Sequence, residues 1–207
     1  MALKPEDYDF LSNMTAIWSI ILGALLATAG GLAGSQLEWY LDRSRLERDS
    51  ALLFGEVLAT LKILLDLAAD TKKVGEPYGP ITLRMLRSAR REIDIYERNR
   101  ENLFALRDAE LRAKIHTTIL RLTMPIDGIF DSSQAIDTLS LQLRTPNLRD
   151  EDRRELESRI ANIRENRETG FEFIMETAKN ELTEAVTKLV RYTGTTHDAI
   201  NRVVNAQ

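Results

Sequence analysis

Along the chain, charge stops at Asp9 and returns only at Glu38, leaving Phe10 to Leu37 without a single Asp, Glu, Lys or Arg. The densest apolar part, TAIWSIILGALLATAGGLAG, runs from Thr15 to Gly34. A helix needs about 20 such residues to cross ~30 Å of hydrocarbon. The pattern predicts a transmembrane helix over 14–35, preceded by a short extracytoplasmic N-terminus over 1–13. Trp18 and Trp39 are spaced to put one indole near each face of a bilayer, with Tyr40 beside the second. Two other readings compete, a buried core helix and a cleaved signal peptide with Ala27-Thr28-Ala29 as its small-residue site. Against the second, Lys4 stands beside Glu6, Asp7 and Asp9 where a positive region is required.

Within this segment small residues share a face. Gly23, Ala27, Gly31 and Ser35 recur every fourth position, and Gly30 and Gly34 form a GxxxG pair. Small residues let two backbones approach closely in lipid, so homo-oligomerisation through this face is expected.

Beyond Gly34 the period is helical throughout. Leu53, Val57, Leu61, Leu64 and Ala68 form one stripe, widened by Phe54, Leu58 and Leu65. The expected transmembrane helix therefore continues as a stalk into a bundle, ending at Lys72 and Lys73 before the turn VGEPYGP, Val74 to Pro80. A second helix is expected from about Thr82 to Leu106 or Arg107, carrying Leu86, Ala89, Ile93, Tyr96 and Leu103. Asp108 can cap the third.

The third helix carries a heptad seam of Leu111, Ile115, Thr118, Leu122, Pro125, Ile129, Ser132, Ile136 and Leu139. Pro125 predicts a kink over Met124 to Gly128. After the polar turn RTPNLRDED, a last long helix uses Leu156, Ile160 and Ile163. Its stripe then resumes as Phe171, Ile174, Ala178, Leu182, Ala185, Leu189 and Tyr192. Arg167 falls where an apolar residue belongs, so a bend or break is expected near Gly170. Gly194 is a candidate C-cap for a tail over 195–207. No segment alternates with a two-residue period, so the fold class is all-α, an antiparallel bundle of about four long helices over 36–194.

Composition narrows the chemistry. With 28 basic and 32 acidic residues, net charge is −4, which gives no global field for nucleic acid. Cys is absent, which removes disulfides and thiolate metal sites. His116 and His197 belong to no HExxH or ExxH pair, and there is no GxSxG elbow or phosphate-binding glycine loop. His116 reads as a surface residue. Asp127 and Asp131, one turn apart beside Pro125, read as solvated carboxylates rather than an acid/base pair. No catalytic residue, cofactor or metal is expected. Arg84, Arg87, Arg90 and Arg91 form a basic cluster that reads either as an ion-paired face or as a patch for an anionic partner.

Arg43, Arg45 and Arg48 follow the apolar segment, against Lys4 alone before it. Basic residues stay inside, so the bundle is expected in the cytoplasm with the N-terminus out, as in a bacterial inner-membrane protein. The expectation is a single-pass, membrane-anchored interaction or assembly protein without catalytic activity. Its partners would be the bilayer, a second copy and a cytoplasmic protein. The alternative is an effector of the stress or phage-defence type whose clustering perturbs the membrane.

Overall fold

A computed structural model describes the backbone of residues 5–146 and 148–193, and the side chains of these apart from 5–17 and 20. Among them every regular element is helical. In chain order these are α1 (Pro5–Val74), α2 (Pro80–Arg98), a 3₁₀ turn (Arg100–Ala105), α3 (Ala109–Leu143), α4 (Asp150–Thr177), a π-helical segment (Ala178–Leu182) and α5 (Thr183–Thr193). The chain divides into two compact units, Met1–Leu46 and Glu47–Gln207.

In the first unit every described side chain from Trp18 onward is exposed, including Trp18, Ile21, Leu22, Leu25, Leu26, Leu32 and Leu37. Among the described residues no helix is long and apolar enough to cross a membrane. The span expected over 14–35 is therefore not found there as such. Two features of the sequence account for this. Gly30, Gly31, Gly34, Ser35 and Gln36 dilute the leucine-rich part, and the apolar run starts upstream, at Phe10.

The second unit is a helical bundle. Phe54, Leu58, Leu61 and Leu65 of α1 are fully buried, whereas Leu53 and Leu64 are only half-buried. The centre of the α1 stripe is thus the set expected only to widen it. α2 begins two residues before Thr82, with Pro80 in its first turn, where the missing N–H costs nothing. It stops at Arg98 rather than near Leu106, and the chain tightens into the 3₁₀ turn that buries Leu103. Asn99 ends α2 by sending its side-chain amide back to the Ile95 carbonyl at 2.8 Å.

Asp108 caps α3 as expected, accepting from the Leu111 backbone N–H at 2.9 Å. The seam residues Leu111, Ile115, Thr118, Leu122, Ile129, Ile136 and Leu139 are buried, joined by Ile119 and Ile126. α3 continues through Pro125 as one helix. α4 continues through Gly170, so the expected break lies elsewhere. The irregularity is the π-helical segment eight residues on, where the Thr183 hydroxyl donates to the Ala178 carbonyl at 3.4 Å. The wide turn rotates the buried face from Phe171, Ile174 and Thr177 to Leu182, Val186 and Leu189. Gly194 and the tail expected over 195–207 lie outside the described residues.

The apolar interior of this unit is not continuous. A large cluster joins α1, α2, α3, α4, the π segment and α5, and its outermost members on α3 and α4 are Ile129, Phe130 and Phe171. A small one, Ile136, Leu139 and Ile160 with Leu143, Leu156 and Ile163 against it, joins only the end of α3 to the start of α4. The α3–α4 hairpin therefore leaves the bundle as a two-helix arm with its own thin core.

Candidate functional site

Two places depart from ordinary bundle packing. In the first unit, Gly23, Ala27, Gly30, Gly31, Gly34 and Ser35 are all exposed, and a methyl group built on any of these four glycines meets nothing within 4 Å. The face expected to pack is open. Its hydroxyls are satisfied internally. Thr28 Oγ1 donates to the Ala24 carbonyl at 2.8 Å and Ser35 Oγ to the Leu32 carbonyl at 3.0 Å. Back-bonding of this kind lets a hydroxyl sit on a helix without needing water. Trp39 and Tyr40 are exposed, and the Arg43 guanidinium lies 5.3 Å from the Trp39 ring centroid.

The second place lies where the two apolar clusters of the bundle separate. Ser132, Ser133 and Arg167 fill the gap between the Ile129/Phe171 level and the Ile136/Ile163 level. Arg167 sends Nη1 to the Ser133 hydroxyl at 3.2 Å, while its Nε is buried without a hydrogen-bond partner. Its guanidinium stacks 4.0 Å from the ring centroid of Tyr78. Tyr78 comes from the α1–α2 turn and is buried, with its backbone at φ 62° in the left-handed region. Few aromatic residues adopt that conformation, because Cβ crowds the carbonyl oxygen. The next residue must be Gly, since a Cβ at Gly79 would lie 3.0 Å from the Glu76 carbonyl oxygen.

Further groups close the cluster. The Tyr78 hydroxyl donates to Glu168 Oε2 at 2.9 Å, and Lys72 Nζ pairs with the other carboxylate oxygen. The same ammonium lies 5.1 Å from the Tyr78 centroid and 4.4 Å from that of Phe171, which meets Tyr78 edge-on. Two cations thus share one aromatic pair.

The titrations follow from this arrangement. Burial, and then the bond and charge of Glu168, push the Tyr78 hydroxyl above its ordinary range. Desolvation lowers the Arg167 guanidinium, although the neighbouring Tyr78 and Glu168 oppose it. Burial alone would raise the Glu168 carboxyl. The hydrogen bonds from Lys72 and Tyr78, with the charges of Lys72 and Arg167, outweigh it and hold the carboxyl below the usual range.

Beside this level, α3 and α4 leave an apolar groove of about 600 Å³ lined by Arg121, Met124, Pro125, Thr169, Gly170 and Phe173. Gly170 matters for packing here, since a Cβ on it would lie 3.9 Å from that of Pro125.

The remaining sequence candidates are placed differently from one another. Arg90 is held by Asp94 and by Asp127, the latter at 3.1 Å. Arg87 lies 5.8 Å from the Phe130 centroid. Arg84 and Arg91 are exposed. The four arginines therefore do not act alike, and Asp127 is an ion-pair partner rather than a free carboxylate. His116 is half-buried rather than on the surface, with Nδ1 3.2 Å from the Tyr96 hydroxyl and the two rings stacked. His197 lies outside the described residues. Among the described residues no group of three His, Asp or Glu side chains is placed to hold a metal ion.

Sequence reasoning reached Arg167 as an apolar position wrongly filled, without supplying its partner. The Tyr78 contact had one weak signal, an aromatic residue set between Pro77 and Gly79 in a turn. In comparisons with protein-family models, curated proteins and solved structures, nothing matches this chain.

Proposed function

We propose that the chain is a single-pass, membrane-anchored helical interaction or assembly protein without catalytic activity. Its N-terminal apolar helix would sit in the bilayer, and its bundle would be displayed in the cytoplasm. The observation that carries this reading is the first unit's surface. Seven large apolar side chains, Trp18, Ile21, Leu22, Leu25, Leu26, Leu32 and Leu37, stand 43% to 66% exposed. Full burial of such a side chain is favourable by about 1.5–3 kcal/mol, so at half exposure roughly 1 kcal/mol remains unrealised for each. Their sum, ~7 kcal/mol, rivals the whole net stability of an ordinary domain. A helix apolar on all sides needs an apolar environment, and lipid or another apolar helix supplies one. Lipid is the economical choice, since the uncharged run extends back to Phe10 and the helix satisfies its own hydroxyls.

The interaction role rests on the open small-residue face of this helix and on the two-helix arm. The second reading, a membrane-acting effector, draws on the same open face, and it differs in predicting dye leakage from induced cells.

Carbonate washing of membranes tests the anchor. The protein should stay in the pellet and be released only by detergent, and deletion of 15–34 should make the rest soluble. A reporter active only in the cytoplasm, fused after Gln207, should be active. Full-length protein in the carbonate supernatant would end the proposal, and an inactive reporter beside an active external one would invert it.

A further inference from the structure

We infer that the α3–α4 arm is a moving element that pivots on the Ser133–Arg167 layer, with Tyr78 as the latch that holds it against the bundle. Four independent features meet at this level. The apolar interior is interrupted there, so no continuous core fastens arm to bundle. The interrupting residue, Arg167, has one buried N–H unpartnered, so the closed state leaves a polar group short. The segment that covers it, the α1–α2 turn, is strained at Tyr78. Strain persists only where surrounding contacts over-determine it.

The fourth feature is the surface on both sides of the layer. The groove beside Met124, Pro125 and Gly170 is open, and Gly170 brings no side chain to resist sliding of α4 on α3.

Opening relieves two defects together. Arg167 Nε gains water, and the Tyr78 backbone can leave the left-handed region. It also loses three contacts, the Tyr78–Glu168 hydrogen bond, the Arg167–Tyr78 stack and the Lys72 contact to the aromatic pair. Gains and losses of similar size at one place are what a two-position element requires. The arm core, with three buried residues, is the part of the bundle least able to override that balance.

Spin labels on exposed positions test this in the full chain in detergent, one at Glu157 on the arm and one at Thr60 on α1. Distances between them are read by double electron–electron resonance. Hydrogen exchange of residues 54–65 verifies that the bundle is folded. Tyr78→Ala should broaden the distance distribution or add a second population, a change of about twofold or more in width. Arg167→Leu should join the two apolar clusters and narrow it below that of the wild type. Tyr78→Phe keeps the ring and loses only the hydroxyl, so it should fall between wild type and Tyr78→Ala. The same distribution in all four proteins overturns the inference. So does broadening in Arg167→Leu while residues 54–65 stay protected.

Discussion

Substitution of Tyr78 by Gly and by Ala should reverse the usual order of stability. In most positions Gly is worse than Ala by about 0.5–1 kcal/mol, because it loses more chain entropy on folding. Tyr78 stands at φ 62°, where a residue with a Cβ is disfavoured by roughly 1–2 kcal/mol and Gly is not. The difference leaves Tyr78→Gly more stable than Tyr78→Ala by about 0.5–1 kcal/mol. Both lose a buried ring together with its cation and hydrogen-bond contacts, a loss of about 3–5 kcal/mol from comparable aromatic truncations. That loss is common to the two variants and cancels between them. Urea unfolding of the full chain in detergent, followed by circular dichroism, resolves the pair. With a slope near 2 kcal/mol per molar urea, the Gly midpoint should lie about 0.3–0.5 M above the Ala midpoint. An Ala midpoint equal to or above the Gly one would refute the claim that this backbone is strained.

Two further outcomes follow from groups already described. The Glu168 carboxyl is held below its usual range, so its contribution is complete above the ordinary Glu range near pH 4.3 and is lost as pH falls through the lower folded value. The stability difference between wild type and Glu168→Gln should therefore be flat from neutral pH to about 5.5 and shrink below about pH 4; a difference that persists unchanged to pH 3 would show that the Lys72 pairing is not what depresses the carboxyl. In membranes, Gly31→Leu should fill the open small-residue face and reduce self-association several-fold in crosslinking, while carbonate resistance is kept. Wild-type crosslinking in that variant would move the organising contact to the bundle.

Much of the bundle was legible because helical period reports which side of a helix is apolar. The α3 seam was readable nearly residue by residue, since Leu111, Ile115, Leu122, Ile129, Ile136 and Leu139 are both apolar and buried. Period cannot say where a helix stops when no Gly or Pro marks the place. For that reason α2 ended at Arg98 on an Asn99 side-chain bond that spacing does not reveal. Nor can period say that one seam serves two cores. Ser132 and Pro125 fit the heptad count, and only the position of Arg167 across from Ser133 divides the interior. The Tyr78 site was the least legible part. It joins residues 89 and 90 positions apart through a turn, and a backbone torsion decides it. The membrane anchor shows the opposite case, where the sequence pattern speaks more fully than the described residues, which begin partway along the apolar run.

The π-helical segment has a consequence for how this chain can change length. A regular α-helix turns 100° per residue, so losing one residue from α4 or α5 would swing everything beyond it about a quarter-turn off the core. Between Ala178 and Leu182 the wide turn already houses a surplus residue. Asn180 there is exposed, and its loss would close the turn into ordinary helix while Ile174 and Leu189 keep facing inward. The long rod from Asp150 to Thr193 therefore has one joint at which its register can be shortened by a residue, and the phase of α5 is set there rather than at its own ends.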